Sequence, residues 1–227
     1  MMDRPSVDQM TKESFYNDAK EYWQNIPSTV DGMLGGFGKI SGEDINGSLN
    51  FIKPFLTGAW AERVGSNRAL DCGCGIGRIT KHLLLPLFQQ VDMVEQTQKF
   101  LDEADLFIGE GASRVGQKIC SGLQHFKPRL EHYDVIWCQW VLGHLTDEHL
   151  VDFLKRAKTG LTENGIICVK ENIAKSGVVF DDQDSSVTRS KAELKKIFAL
   201  AGLTILKEAD QKRFPLGLFA VRMYALR

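Results

Sequence analysis

Three stretches of this sequence concentrate side chains that could do chemistry. The first is Asp71-Cys72-Gly73-Cys74-Gly75-Ile76-Gly77-Arg78, in which an acid precedes glycines spaced G-x-G-x-G. Such a turn can take positive φ and lets ligand atoms approach the backbone where a Cβ would clash. A helix beginning near Arg78 adds unpaired N–H groups beside it. In the second stretch, Gln139-Trp140-Val141-Leu142-Gly143-His144, an amide, an indole and an imidazole fall within six residues, too polar a group for the end of a core strand. The third joins Glu171-Asn172 to Phe180-Asp181-Asp182-Gln183-Asp184-Ser185-Ser186, with three carboxylates in four residues. Counted from Asp181, this run lacks the glycine at position six and the glutamate at position twelve of an EF-hand loop. An acidic pocket for a cationic group suits it better, and no metal is expected.

The elements that must position these stretches alternate. A short apolar strand at Ala69-Leu70 enters the glycine turn, a helix follows from Ile79 to Phe88, and the strand Val91 to Val94 ends in Glu95. That order is a βαβ unit. Glu95 stands about twenty residues beyond the turn, where an acid can accept hydrogen bonds from two ribose hydroxyls. Beyond it the pattern predicts helix Gln98 to Ile108, strands Lys118 to Cys120 and Tyr133 to Trp140, helix Asp147 to Thr159, strand Gly165 to Lys170 and helix Lys191 to Leu200. A parallel sheet with helices on both faces follows. Thr204 to Lys207 and Leu218 to Leu226 have no helix between them, so they should pair as an antiparallel hairpin.

Ahead of this core, Phe15, Ala19, Tyr22, Trp23 and Ile26 predict an amphipathic helix from Ser14 to Ile26 that Pro27 ends. Thr29 to Ile40 carries four glycines without periodicity and reads as a loop, either a lid or a flexible connector. It is not a phosphate loop, because Ile40 follows Gly38-Lys39 and Met33 occupies the place of the first glycine.

At 227 residues the chain should form one domain, with the helix and lid in about 1–60 and the core in about 61–227. A net charge of −1 without a basic cluster disfavours nucleic acid as a direct partner. No apolar run approaches the ~18 residues of a membrane span, and Met1-Met2-Asp3-Arg4-Pro5 lacks a signal-peptide core, so a soluble intracellular protein is expected. Cys72, Cys74, Cys120, Cys138 and Cys168 show no zinc spacing and read as reduced thiols, mostly in the core.

Ligands of open α/β sheets bind beyond the carboxyl ends of the strands. There Arg78 could grip a carboxylate with its planar fork, and Leu123-Gln124 could frame an adenine. A dinucleotide loop would need glycine where Arg78 stands. The G-x-G-x-G spacing resembles instead motif I of class I S-adenosylmethionine-dependent methyltransferases, and the closing antiparallel pair is how that Rossmann-like fold ends.

The chain resembles one family more specifically, the protein α-N-terminal methyltransferases that modify Xaa-Pro-Lys or Xaa-Pro-Arg N-termini. The resemblance rests on Thr29-Val30-Asp31-Gly32-Met33-Leu34-Gly35-Gly36, on Leu70 to Arg78, on Asp134-Val135-Ile136-Trp137 with Gln139-Trp140-Val141 and Gly143-His144-Leu145, and on Asp181 with Asp184-Ser185-Ser186-Val187. It implies a mostly parallel seven-stranded α/β sheet with an antiparallel C-terminal hairpin and an N-terminal helical extension. It also implies that Gly73, Gly75, Arg78, Glu95, Leu123, Gln124, Gln139 and Trp23 hold S-adenosylmethionine, with S-adenosylhomocysteine as product. Trp140 would pack on the substrate proline under a lid carrying Leu34 and Ile40. Asn172 would bond the peptide backbone, and Asp181, Asp184 and Ser186 would receive the third-residue Lys or Arg. His144 and Asp184 would accept the amine proton. Phe37 and Phe219 stand where relatives often carry Tyr, Phe219 lining the peptide groove. The resemblance further implies a monomer, in the cytoplasm or nucleus, acting on ribosomal and chromatin-associated proteins. A small-molecule amine N-methyltransferase and a non-catalytic binding module are the alternatives. The first has no use for the lid and Trp140, and the second leaves the intact site residues unexplained.

Overall fold

The structure is a computed structural model that describes residues 13–58, 60 and 63–227, so the Met1 to Pro5 segment lies outside the described residues. Its strands are β1 (Arg68–Cys72), β2 (Gln90–Glu95), β3 (Val115–Cys120), β4 (Tyr133–Gln139), β5 (Leu161–Ile173), β6 (Val178–Asp181), β7 (Ser186–Arg189), β8 (Ile205–Asp210) and β9 (Ala220–Leu226). Seven form one sheet in the order β3-β2-β1-β4-β5-β9-β8, and β6 pairs with β7 apart from it. β1 to β5 run parallel, and β9 lies antiparallel between β5 and β8. The chain reverses its direction of travel between β1 and β4, which opens a crevice at their carboxyl ends.

All seven residues of β4 are buried, as a strand covered on both faces requires. Successive residues feed opposite faces: Ala69, Val135 and Trp137 join one core cluster, and Leu70, Ile136 and Cys138 the other. The helices are α1 (Glu13–Asn25), α2 (Val30–Met33), α3 (Ser41–Thr57), α4 (Gln98–Ile108), α5 (Asp147–Thr159) and α6 (Lys191–Leu200). The first cluster is closed by α3 and α4 through Phe51, Ile52, Phe55 and Leu101. The second is closed by α5 and α6 through Phe153, Leu154 and Phe198. Thr146 and Ser190 cap α5 and α6, accepting from the backbone N–H of His149 and Glu193.

Four segments depart from or add to what the sequence pattern predicts. The Thr29 to Ile40 segment is a folded turn: Thr29 caps α2, Gly38–Ile40 forms a 3₁₀ turn, and Asp31 Oδ1 accepts the Gly38 N–H at 3.0 Å. The seventeen residues of α3 carry no clear sequence signal, because two glycines and Pro54 lie inside it. The helix expected over Ile79 to Phe88 is a short segment with one π-type turn at Thr80–Leu84. The acidic run is no open loop, since it forms the tip of the β6–β7 hairpin.

Candidate active site

A cleft opens at the carboxyl ends of β1, β2 and β4. Its floor is the glycine turn, tied to β2 by the Gly73 and Cys74 N–H groups, which donate to Val94 O at 2.8 and 3.1 Å. Gly73 and Gly75 take φ of +69° and +54°. A Cβ on Gly73 would lie 2.4 Å from Val141 Cγ2, and one on Gly75 2.4 Å from Met33 Sδ. Gly73→Ala therefore combines left-handed strain with overpacking and is expected to destabilise the fold by about 2 kcal/mol. A thermal scan should show the drop, and an unchanged midpoint would mean that the turn relaxes freely.

Glu95 ends β2 as a brace of that floor. It is 9% exposed, and its two oxygens accept the Gly75 N–H at 3.0 Å and the Thr97 N–H at 2.9 Å. Burial raises its pKa, and these backbone donors oppose the rise. It is thus no solvated loop charge, and it lines the cleft as a ribose acceptor must. Asp71, beneath the turn, accepts the Thr80 hydroxyl at 2.6 Å, and burial lifts its pKa to about 6. Leu123 and Gln124 also line the cleft, on a loop whose carbonyls Arg156 of α5 holds at 2.9 and 3.2 Å.

Arg78 is 5% exposed, so it is no helix-surface charge. Its Nη1 donates to Asp44 Oδ2 at 2.7 Å, and the Gln139 amide donates to both oxygens of the same carboxylate at 2.9 Å. Lys170, wholly buried at the end of β5, pairs with Asp44 Oδ1 and donates to Asp44 O, Ser48 Oγ and Gln211 Oε1 at 2.9, 2.9 and 2.7 Å. Burial lowers the Lys170 pKa to about 8 despite its carboxylate partner. One carboxylate on α3 therefore fixes two cleft residues and compensates two buried cations.

The turn after β4 is strained. Trp140 takes φ of +52°, a conformation that bulky residues rarely adopt. Its N–H donates to Lys170 O at 3.0 Å, and Glu171 Oε1 accepts the next two N–H groups, of Val141 and Leu142, at 2.9 Å. Burial raises the Glu171 pKa to about 7. The strain aims the indole into the cleft, 5.6 Å from the Arg78 guanidinium carbon and 6.5 Å from the Phe214 ring. Trp23 of α1 forms another wall and donates its indole N–H to His144 Nε2 at 3.0 Å. Burial holds the His144 pKa below its ordinary value, while Asp184 and the Ser185 backbone pull upward. Three buried polar atoms around this end make no hydrogen bond: Trp140 Nε1, His144 Nδ1 and Asp184 Oδ1.

The cleft gathers Trp23, Gly73, Gly75, Arg78, Glu95, Leu123, Gln124, Gln139, Trp140 and His144. Leu34 and Ile40 are buried and do not line it; their neighbour Met33 does. Asn172, Asp184 and Ser186 are half-buried and do not line it, while Asp181 is exposed and accepts the Gln183 N–H. Phe219 is 47% exposed and off the cleft, and Phe214 takes the place beside Trp140. Asp44 and Lys170 were not recognisable as site residues, because Asp44 lies in the polar run Gly42-Glu43-Asp44-Ile45-Asn46 and Lys170 stands beside Glu171, where each reads as a solvated charge.

A family model described as AdoMet-dependent proline di-methyltransferase matches residues 11–227. The N-terminal Xaa-Pro-Lys N-methyltransferase 1 of Danio rerio is 54% identical over 214 residues, covering 94% of this chain and 96% of its own. The Homo sapiens protein of the same name is 51% identical over 216 residues, covering 95% and 96%. A solved SAM-dependent methyltransferase from Leishmania major superposes with a TM-score of 0.88 at 38% identity, covering 98% of this chain and 87% of its own. S-adenosylmethionine (AdoMet) fits the cleft on physical grounds: a glycine floor for close approach, the buried Glu95 for hydroxyls, Arg78 for a carboxylate and Leu123 for a base. With matches of this extent along nearly its whole length, the chain belongs to the family of AdoMet-dependent proline di-methyltransferases.

Proposed function

We propose that this enzyme methylates the free α-amine of protein N-termini beginning Xaa-Pro-Lys or Xaa-Pro-Arg. The observation that carries the reading is that three buried atoms make no hydrogen bond: Trp140 Nε1 and His144 Nδ1 of the cleft lining, and Oδ1 of Asp184, whose charge acts on His144. Buried polar groups are normally hydrogen-bonded, so these atoms support a polar substrate group that completes the set. When bound, S-adenosylmethionine supplies a methyl group on a cationic sulfur, which an uncharged amine can displace.

An α-amine has a pKa near ~8, so at neutral pH it arrives mostly as ammonium and must lose a proton before it attacks. Asp184 and His144 would take that proton and orient the nitrogen. Trp140, in its strained conformation, would offer its face to a proline ring, whose fixed φ and missing N–H make a rigid second residue. The carboxylates of the β6–β7 turn supply the charge to receive a third-residue Lys or Arg. Holding the amine in line is expected to supply most of the acceleration.

Mass spectrometry of hexapeptides beginning Ser-Pro-Lys, Ser-Ala-Lys and N-acetyl-Ser-Pro-Lys tests the proposal. Methyl gains on the first alone are expected. Equal gains on the Ser-Ala-Lys peptide would remove the proline requirement, and no gain on any with cofactor bound would overturn the reading.

A further inference from the structure

Trp23 does more than wall the cleft. An indole N–H can only donate, so the 3.0 Å bond makes His144 Nε2 the acceptor, and in the neutral ring the proton then sits on Nδ1. The two rings meet edge to face, with centroids 5.9 Å apart at 86°. We propose that Trp23 is a positioning residue that fixes His144 as the neutral Nδ1–H tautomer, leaving the Asp184 carboxylate to take the amine proton. The inference rests on the function proposed above.

Protonating His144 would place a second N–H on Nε2, directly against the indole N–H. Relieving the clash would require the indole, the imidazole or α1 to move, and α1 is pinned along its length. Ser185 Oγ donates to Phe15 O at 3.0 Å, Tyr16 OH meets His149 Nδ1 at 2.6 Å, and Lys99 Nζ donates to Gln24 O and Ile26 O at 2.5 and 2.6 Å. From the β6–β7 turn, Asp184 and the Ser185 backbone favour the charged ring. From α1, Tyr22 faces these carboxylates, and burial with the acids Asp184 and Asp181 raises its pKa, so it stays neutral.

The lock matters because Asp184 would otherwise draw a proton onto His144. An imidazolium there would occupy the carboxylate and set a like charge beside the incoming ammonium. With the ring neutral, Nδ1–H is a donor on the side of the Ser185 backbone and Asp184. One N–H bond of the ammonium then breaks as an O–H bond forms on Asp184 Oδ1, and the nitrogen keeps the lone pair that meets the methyl carbon.

Long-range ¹H–¹⁵N spectra of histidine-labelled enzyme, with and without S-adenosylhomocysteine, read the tautomer directly. His144→Gln identifies the signal among the five histidines. The wild-type ring is expected as Nδ1–H between about pH 6 and 8. Trp23→Phe keeps an aromatic wall and removes the donor, so the His144 pKa should rise by roughly half to one unit. The acid limb of kcat/KM on a Ser-Pro-Lys peptide should move to higher pH by the same interval. A wild-type Nε2–H tautomer, or a pKa unmoved in Trp23→Phe, would overturn the lock, and the wild-type spectrum decides even if the variant does not fold. The spectra do not depend on turnover, so a peptide left unmethylated by a locked enzyme would refute the proposed substrate and not the lock.

Discussion

Asp184→Asn is expected to lower kcat on a Ser-Pro-Lys peptide by roughly 10²–10⁴-fold, the usual worth of a positioned proton acceptor. Asparagine keeps the size and one acceptor oxygen but cannot take a proton. The residue sits on the β6–β7 turn, beyond the glycine floor and Glu95, so cofactor affinity should hold. Asp184→Lys and His144→Lys place a cation where the ammonium must dock and should abolish turnover, again with cofactor binding nearly intact. Steady-state kinetics beside calorimetric titration of S-adenosylhomocysteine separates the two effects. A variant that loses cofactor affinity in step with kcat would show that these residues shape the cofactor pocket and do not serve the amine.

The second large effect is on stability. Asp44→Ala removes the one carboxylate shared by Arg78, Gln139 and Lys170 and leaves a wholly buried lysine without its counter-charge. Breaking such a pair costs about 3–5 kcal/mol, which for a chain of this size lowers Tm by roughly 10 °C. Cofactor affinity should fall too, because Arg78 and Gln139 lose the group that aims them. The deficit has a pH signature. Asp44 holds the Lys170 pKa up to about 8, so without it the folded state releases that proton at lower pH. There the unfolded state binds more protons, and the stability of the variant rises with pH. Its gap to wild type should therefore narrow as pH climbs toward about 8. A gap that is small or independent of pH would mean that Lys170 is not held as a buried cation.

Much of this was visible in the sequence where one local signal sufficed. The helices over Gln98–Ile108, Asp147–Thr159 and Lys191–Leu200 follow apolar periodicity, and the last two begin at side-chain caps. The glycine turn and Glu95 were legible because a close backbone approach demands particular residue types at fixed spacing. α3 was not, since Gly42, Gly47 and Pro54 depress its propensity and packing of Phe51, Ile52 and Phe55 overrides them. The Asp44–Lys170 pair joins residues 126 apart, each of which reads locally as a solvated charge. The left-handed backbone of Trp140 leaves no mark on composition. Burial alone distinguishes Asp184 from its exposed neighbours Asp181 and Asp182.

The docking of α1 also sets an order of events during synthesis. Trp23 meets a residue 121 positions later, and Phe15 one 170 positions later. At ribosomal speed the helix waits roughly ten to thirty seconds for those partners to be made. The glycine turn, Glu95 and the Leu123 loop need no residue beyond Arg156, so a nascent chain can complete that part of the cofactor cleft first. The acidic hairpin gains its anchor on α1, Ser185 to Phe15, only once β7 is emerging. A chain stalled before that point would carry cofactor contacts without the means to deprotonate an amine, so methylating activity is among the last properties this polypeptide acquires.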